Sequence, residues 1–105
     1  MCIRDRAKIV IDGGVQRGSD IAKAIAIGAD NVAIGKMQCW GLAAGGEAGL
    51  IRTLEILEDE YVSALGFLGV TSTNQLNSNH VCQSDPVTNP HEMSTWVNMP
   101  KGRLT

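Results

Sequence analysis

Two short apolar runs, each stopped by glycine and separated by one helix-like stretch, constrain this chain more than anything else in it. Ile9, Val10 and Ile11 form a continuous β-branched run that ends at Asp12-Gly13-Gly14. Asn31, Val32, Ala33 and Ile34 form a second run that ends at Gly35. Unbroken apolar runs of this length suit strands buried on both faces of a parallel sheet. Between them, Ser19 suits a helix N-cap, Asp20 a first turn and Gly28 a helix end. Ile21, Ala24, Ile25 and Gly28 share one face of that helix, with Asp20, Lys23 and Ile27 directed elsewhere. Strand, helix and strand joined this closely make a βαβ unit, which crosses over right-handed.

A second helix is expected over residues 47–67. Leu50, Leu54, Leu57, Tyr61, Leu65 and Leu68 recur at steps of three and four and form its core stripe. Glu55, Glu58, Asp59 and Glu60 read as a solvated face. Thr71 and Ser72 are placed to cap a short helix reaching Gln75 and Leu76. Residues 77–105 are polar, carry Pro86, Pro90 and Pro100, and show no periodicity, so they read as an irregular tail. Residues 1–6 carry no pattern and are expected to be a non-native leader.

The resulting order is β-α-β-α. Two parallel strands do not make a stable sheet, since such sheets need more neighbours and cover on both faces. A complete eight-fold α/β barrel takes ~250 residues, so these elements amount to about a quarter of one.

Composition excludes more than it assigns. The 105 residues are 44% hydrophobic with a net charge of -2, which gives no reason to expect nucleic acid. No apolar run approaches the ~20 residues of a membrane helix. Cys2, Cys39 and Cys82 are scattered and odd in number, which argues against a disulfide framework and for a cytoplasmic location. Cys39 beside Trp40 reads as a small buried hydrophobe rather than a reactive thiol. His80, Cys82 and His91 do not make a closed metal set.

Chemistry concentrates in the two glycine turns. Both follow strands at their C-terminal ends, the face where parallel α/β folds hold ligands. Glycine lets backbone N–H groups approach an anion, a following helix adds its dipole, and Arg17 and Lys36 add positive charge. By itself the D-G-G turn does not distinguish a phosphate loop from a tight turn.

The ordered combination I-D-G-G-V-x-R-G-x-D-I-x-K-A-x-A-x-G-A, V-A-I-G-K, W-G-L-A-A-G-G-E-A-G, L-E-I-L-x-D-E and L-G-V-T-S-x-x-Q-L resembles the FMN-dependent 2-hydroxy-acid dehydrogenase and oxidase family. The resemblance covers residues 7–76 and is most discriminating at residues 40–49. It implies the C-terminal part of a (β/α)8 barrel, holding strands seven and eight with their helices. It further implies FMN as cofactor, a 2-hydroxy acid as the parent's substrate, and a homo-oligomeric parent.

Carried across residue by residue, Asp12 faces the ribityl chain, Gly13 and Gly14 offer backbone, and Gly35 and Lys36 form the second contact. Gln16 and Lys36 stand where the family has arginine, so a charge is missing at one position and the guanidinium fork at the other. Arg17 adjoins the first of these positions. The family's catalytic histidine and substrate arginine lie in an S-N-H-G-G-R-like segment that nothing before Lys8 matches, and no catalytic residue is assigned here. An inosine-monophosphate-dehydrogenase-like barrel shares the D-G-G turn but not residues 40–49. A stand-alone phosphate-binding or interaction module is the remaining alternative.

Overall fold

The computed structural model describes residues 6–85; the expected leader lies outside these residues except for Arg6, as does the tail beyond Asp85. Strand β1 (Val10–Asp12) is followed by helix α1 (Gly18–Ala26), strand β2 (Asn31–Ala33) and helix α2 (Lys36–Leu68). Short 3-10 turns at Thr73–Gln75 and Ser78–His80 follow. β1 and β2 pair in parallel, with Val10 beside Asn31, Ile11 beside Val32 and Asp12 beside Ala33. The start of the pair is stitched by Asp30, whose backbone N–H donates to the Ile9 carbonyl at 2.8 Å. Its carboxylate accepts from the Ile9 N–H, also at 2.8 Å.

The expected βαβ unit is therefore present, but its strands are not buried on both faces. Val10 is 56% exposed, and Ile11, Val32 and Ala33 are only partly covered. Two strands with α1 alongside leave the opposite face without a covering layer among the described residues.

α2 departs most from expectation. It starts at Lys36, well before residue 47, and is broken at Gly45 and Gly46. Gly46 has φ 64° and ψ -144°, which is open essentially to glycine alone. The helix thus consists of residues 36–44 and residues 47–68, folded back on each other across the break. The elbow is tight. A Cβ on Gly41 would meet Thr53 Oγ1, and one on Gly49 would meet the Gly41 carbonyl oxygen. At the far end Gly69 adopts φ 77° and closes the helix, while the Val70 N–H reaches the Leu65 carbonyl at 3.1 Å.

The core lies between α1, residues 61–65 of α2 and the turns beyond it. Ala22, Ala26, Val70 and Leu76 are buried there, flanked by Ile25, Tyr61, Ala64, Leu65 and Val81. On α1 the buried positions are Gly18, Ala22, Ala24 and Ala26, so small residues rather than Ile21 and Ile25 make the closest contact. In the leucine stripe Leu57 is buried, but Leu54 is 47% exposed. Cys39 is exposed rather than buried, because residues 36–44 carry no packing layer on that side among the described residues.

One capping expectation is corrected, and the other holds in position though not through a side-chain bond. Ser19 lies inside α1, whose N-cap is Arg17. Ser72 is the N-cap of the first 3-10 turn without a side-chain bond, and Thr71 Oγ1 instead accepts from Gln75 Nε2 at 3.0 Å. The beginning of the presumed irregular tail is ordered by Asn77, whose Oδ1 accepts from the Asn79 N–H at 2.8 Å.

Candidate cofactor site

Parallel pairing brings the two glycine turns side by side, because β1 and β2 end at the same level. Together they line a pocket of about 120 Å³ formed by Asp12, Gly13, Gly14, Val15, Ala33, Ile34, Gly35, Lys36 and Met37. Five of the seven residues expected at a cofactor site are in this lining: Asp12, Gly13, Gly14, Gly35 and Lys36. Gln16 and Arg17 are not.

The glycines are there for conformational reasons. Gly13 has φ 109° and Gly14 φ 76°, both in the left-handed region where a side chain would be strained. Two such residues in succession turn the backbone sharply at the strand end and keep Cβ atoms out of the pocket.

The two helix N-termini near these turns differ in one decisive respect. At α1 the Asp20 carboxylate accepts from the N–H groups of Gln16 and Arg17, each at 3.0 Å. Glu60 Oε1 accepts from the Gly18 N–H at 2.8 Å. Two carboxylates already answer this helix end, which leaves it unsuited to a further anion. At α2 the N-cap is Gly35, which has no side chain of its own to cap that end. The first N–H groups of a helix have no partner within it, so α2 directs its donors and its dipole toward the pocket.

Arg17 is held on the other side of the loop. Its Nη2 lies 2.7 Å and its Nε 2.9 Å from Glu60 Oε2. The hydrogen bond from Arg17, followed by that from the Gly18 N–H, holds the Glu60 carboxyl below the usual carboxylate range. The same bond raises the Arg17 guanidinium above its ordinary value. Glu60 is thus not part of a solvated face: its side chain is 26% exposed and committed to two partners. Sequence reading missed it, because a partner 43 residues away leaves no local periodic signal.

The pocket fits a phosphate in size and chemistry. Drug-sized ligands occupy ~300–1,000 Å³, whereas about 120 Å³ is roughly four water volumes. Glycine backbone, a helix N-terminus and one lysine are the donor set that an anionic oxygen group requires. A whole flavin does not fit, so its ring system would lie beyond these residues. Among the described residues, no three His, Cys, Asp or Glu side chains come together as metal ligands. No helix among them is long and apolar enough to cross a membrane.

Comparison with known proteins identifies the family. The FMN-dependent dehydrogenase family profile matches residues 2–83. A 2-hydroxyacid oxidase of Dictyostelium discoideum is 38% identical over 76 residues, covering 72% of this chain and 20% of that protein. Pre-mycofactocin synthase of Mycobacterium tuberculosis (strain H37Rv) is 45% identical over 75 residues, covering 71% and 19%. Among solved structures, a flavocytochrome b2 variant with sulfite bound superposes with a TM-score of 0.70 at 28% identity. It accounts for 94% of this chain and 29% of that one. A variant with benzoylformate gives 0.68 at 32% identity, covering 83% and 24%. The chain spans about a fifth of the length of these curated relatives, and its fold corresponds to part of an α/β-barrel enzyme. The glycine turns, the phosphate-sized pocket and these likenesses lead to one assignment: the chain belongs to the FMN-dependent dehydrogenase family, whose cofactor is FMN.

Proposed function

We propose that residues 7–76 are the strand-seven to helix-eight portion of a (β/α)8 barrel and supply the phosphate end of its FMN site. The observation that carries this reading is the pocket shared by the two glycine turns, which the start of α2 at Gly35 and Lys36 also lines. In this reading Gly13, Gly14 and Gly35 present backbone to the phosphate and Lys36 provides its positive charge. Asp12, acceptor-only when ionised, suits the hydroxyls of the ribityl chain rather than the phosphate. Gln16 stays outside the lining, and its backbone N–H serves the loop through Asp20.

The parent enzyme oxidises a 2-hydroxy acid to a 2-oxo acid. Bound FMN supplies the acceptor for the substrate's α-hydrogen. The residues described here bind and orient: the pocket lining contains no histidine, and Asp12 and Lys36 are its only ionisable side chains. The catalytic base and the arginine that anchors the substrate carboxylate are therefore assigned to another part of the parent barrel, within one short loop.

Anaerobic mixing of the flavin-loaded parent protein with glycolate, lactate and mandelate tests the substrate class. At least one should bleach the flavin and yield the matching 2-oxo acid. A flavin unmoved by the whole series would overturn the 2-hydroxy-acid reading. It would favour the second one, a relative of the pre-mycofactocin synthases, which the 45% identity supports. Both readings share the FMN site.

A further inference from the structure

Glu60 lies on the far side of the cofactor loop from the pocket, yet both of its carboxylate oxygens are engaged by that loop. One oxygen takes the Arg17 guanidinium at 2.7 and 2.9 Å, and the other takes the Gly18 N–H at 2.8 Å. Gly18 sits so close to α2 that a Cβ there would come within 2.5 Å of the Glu60 carbonyl carbon. Asp20 closes the same loop from within, through the N–H groups of Gln16 and Arg17. The loop from Gly13 to Gly18 is thus held at one end by β1 and at the other by a side chain from α2.

We propose that Glu60 is a positioning residue for FMN, acting through Arg17 and Gly18 rather than on the cofactor. The inference rests on the FMN reading above and reassigns Arg17 from phosphate contact to loop anchor. Its consequence has a definite sign. A carboxylate beside an anion site disfavours the anion, so on charge alone its removal should tighten phosphate binding and release Arg17 toward the pocket. A positioning role requires the opposite: Glu60→Gln loosens the loop and weakens FMN binding.

The experiment measures FMN dissociation from the intact parent protein as wild type, Glu60→Gln, Arg17→Ala and the double variant, at one stated salt concentration. Glutamine keeps an acceptor for the Gly18 N–H, so Glu60→Gln should fold while losing the ion pair. Glu60→Gln is expected to bind FMN roughly threefold more weakly, the scale of a largely exposed ion pair. The double variant should be no weaker than Arg17→Ala, because Glu60 acts through Arg17 and glutamine keeps the Gly18 contact. Amide exchange at Gly18, which does not depend on cofactor, should be faster in Glu60→Gln. Unchanged or tighter FMN binding in Glu60→Gln, additive losses in the double variant, or an unaltered Gly18 amide would each overturn the inference. A wild-type parent protein that holds no FMN would instead refute the functional reading itself, before any variant is compared.

Discussion

Gly18 occupies a position where α1 and α2 approach closely enough to exclude a methyl group. Its would-be Cβ meets the Tyr61 backbone nitrogen and, at 2.5 Å, the Glu60 carbonyl carbon, and no rotamer change can move either backbone atom. Gly18→Ala should therefore push the helices apart despite alanine's higher helix propensity. The expected loss is ~1–3 kcal/mol, the scale of overpacking a tight contact. Thermal unfolding of the parent protein checks this, and an unchanged midpoint would show that the contact yields easily. Residue type was the legible part here: Arg17 reads as a cation and Gly13-Gly14 as a turn from sequence alone. The Arg17–Glu60 pairing is set by how α1 lies on α2, which no local pattern encodes.

α2 shows what periodicity can and cannot reveal about an element. The stripe through Leu57, Tyr61 and Leu65 marks residues 47–68 correctly, because those side chains share one face. Residues 36–44 begin after Gly35, which offers no capping side chain, and contain Gly41 in mid-segment. Nothing in that stretch announces a helix, so the expected helix begins only at residue 47. The position of that stretch matters, since it aims a helix N-terminus at the pocket. The break that permits this is carried unequally by two neighbours. Gly46 has φ 64°, whereas Gly45 has φ -147° and open space where a methyl group would sit. Gly46→Ala should cost ~1–3 kcal/mol in backbone strain, while Gly45→Ala should leave stability nearly unchanged. Unfolding midpoints of the two variants decide it, and equal losses would mean that the pair acts as a simple flexible hinge.

At the scale of the whole molecule the apolar surface stands out. Phe67 is 92% exposed, and Ile27, Trp40 and Val62 are each more than half exposed. The core is built of alanines, Val70 and Leu76 at one side of the described residues. Such a distribution fits a portion of a barrel whose remaining strands and helices would cover these faces, in keeping with the chain's share of its relatives' length. The parallel strand pair and the crossover helix were readable from two apolar runs and their glycines. Burial was not, because it depends on neighbours that the pattern implies without containing.

In the proposed site the pocket between the glycine turns holds the phosphate of FMN, with Lys36 as its one cationic side chain. Flavin dissociation from the parent protein at fixed salt tests it most directly, comparing wild type with Lys36→Ala and Gln16→Ala. Losing a charge-assisted hydrogen bond should weaken FMN by about 2 kcal/mol in Lys36→Ala, roughly thirtyfold in affinity. Gln16→Ala should cost less than about 1 kcal/mol, since its side chain is absent from the lining. Wild-type affinity in Lys36→Ala, or a loss in Gln16→Ala as large as that in Lys36→Ala, would show that the phosphate lies elsewhere.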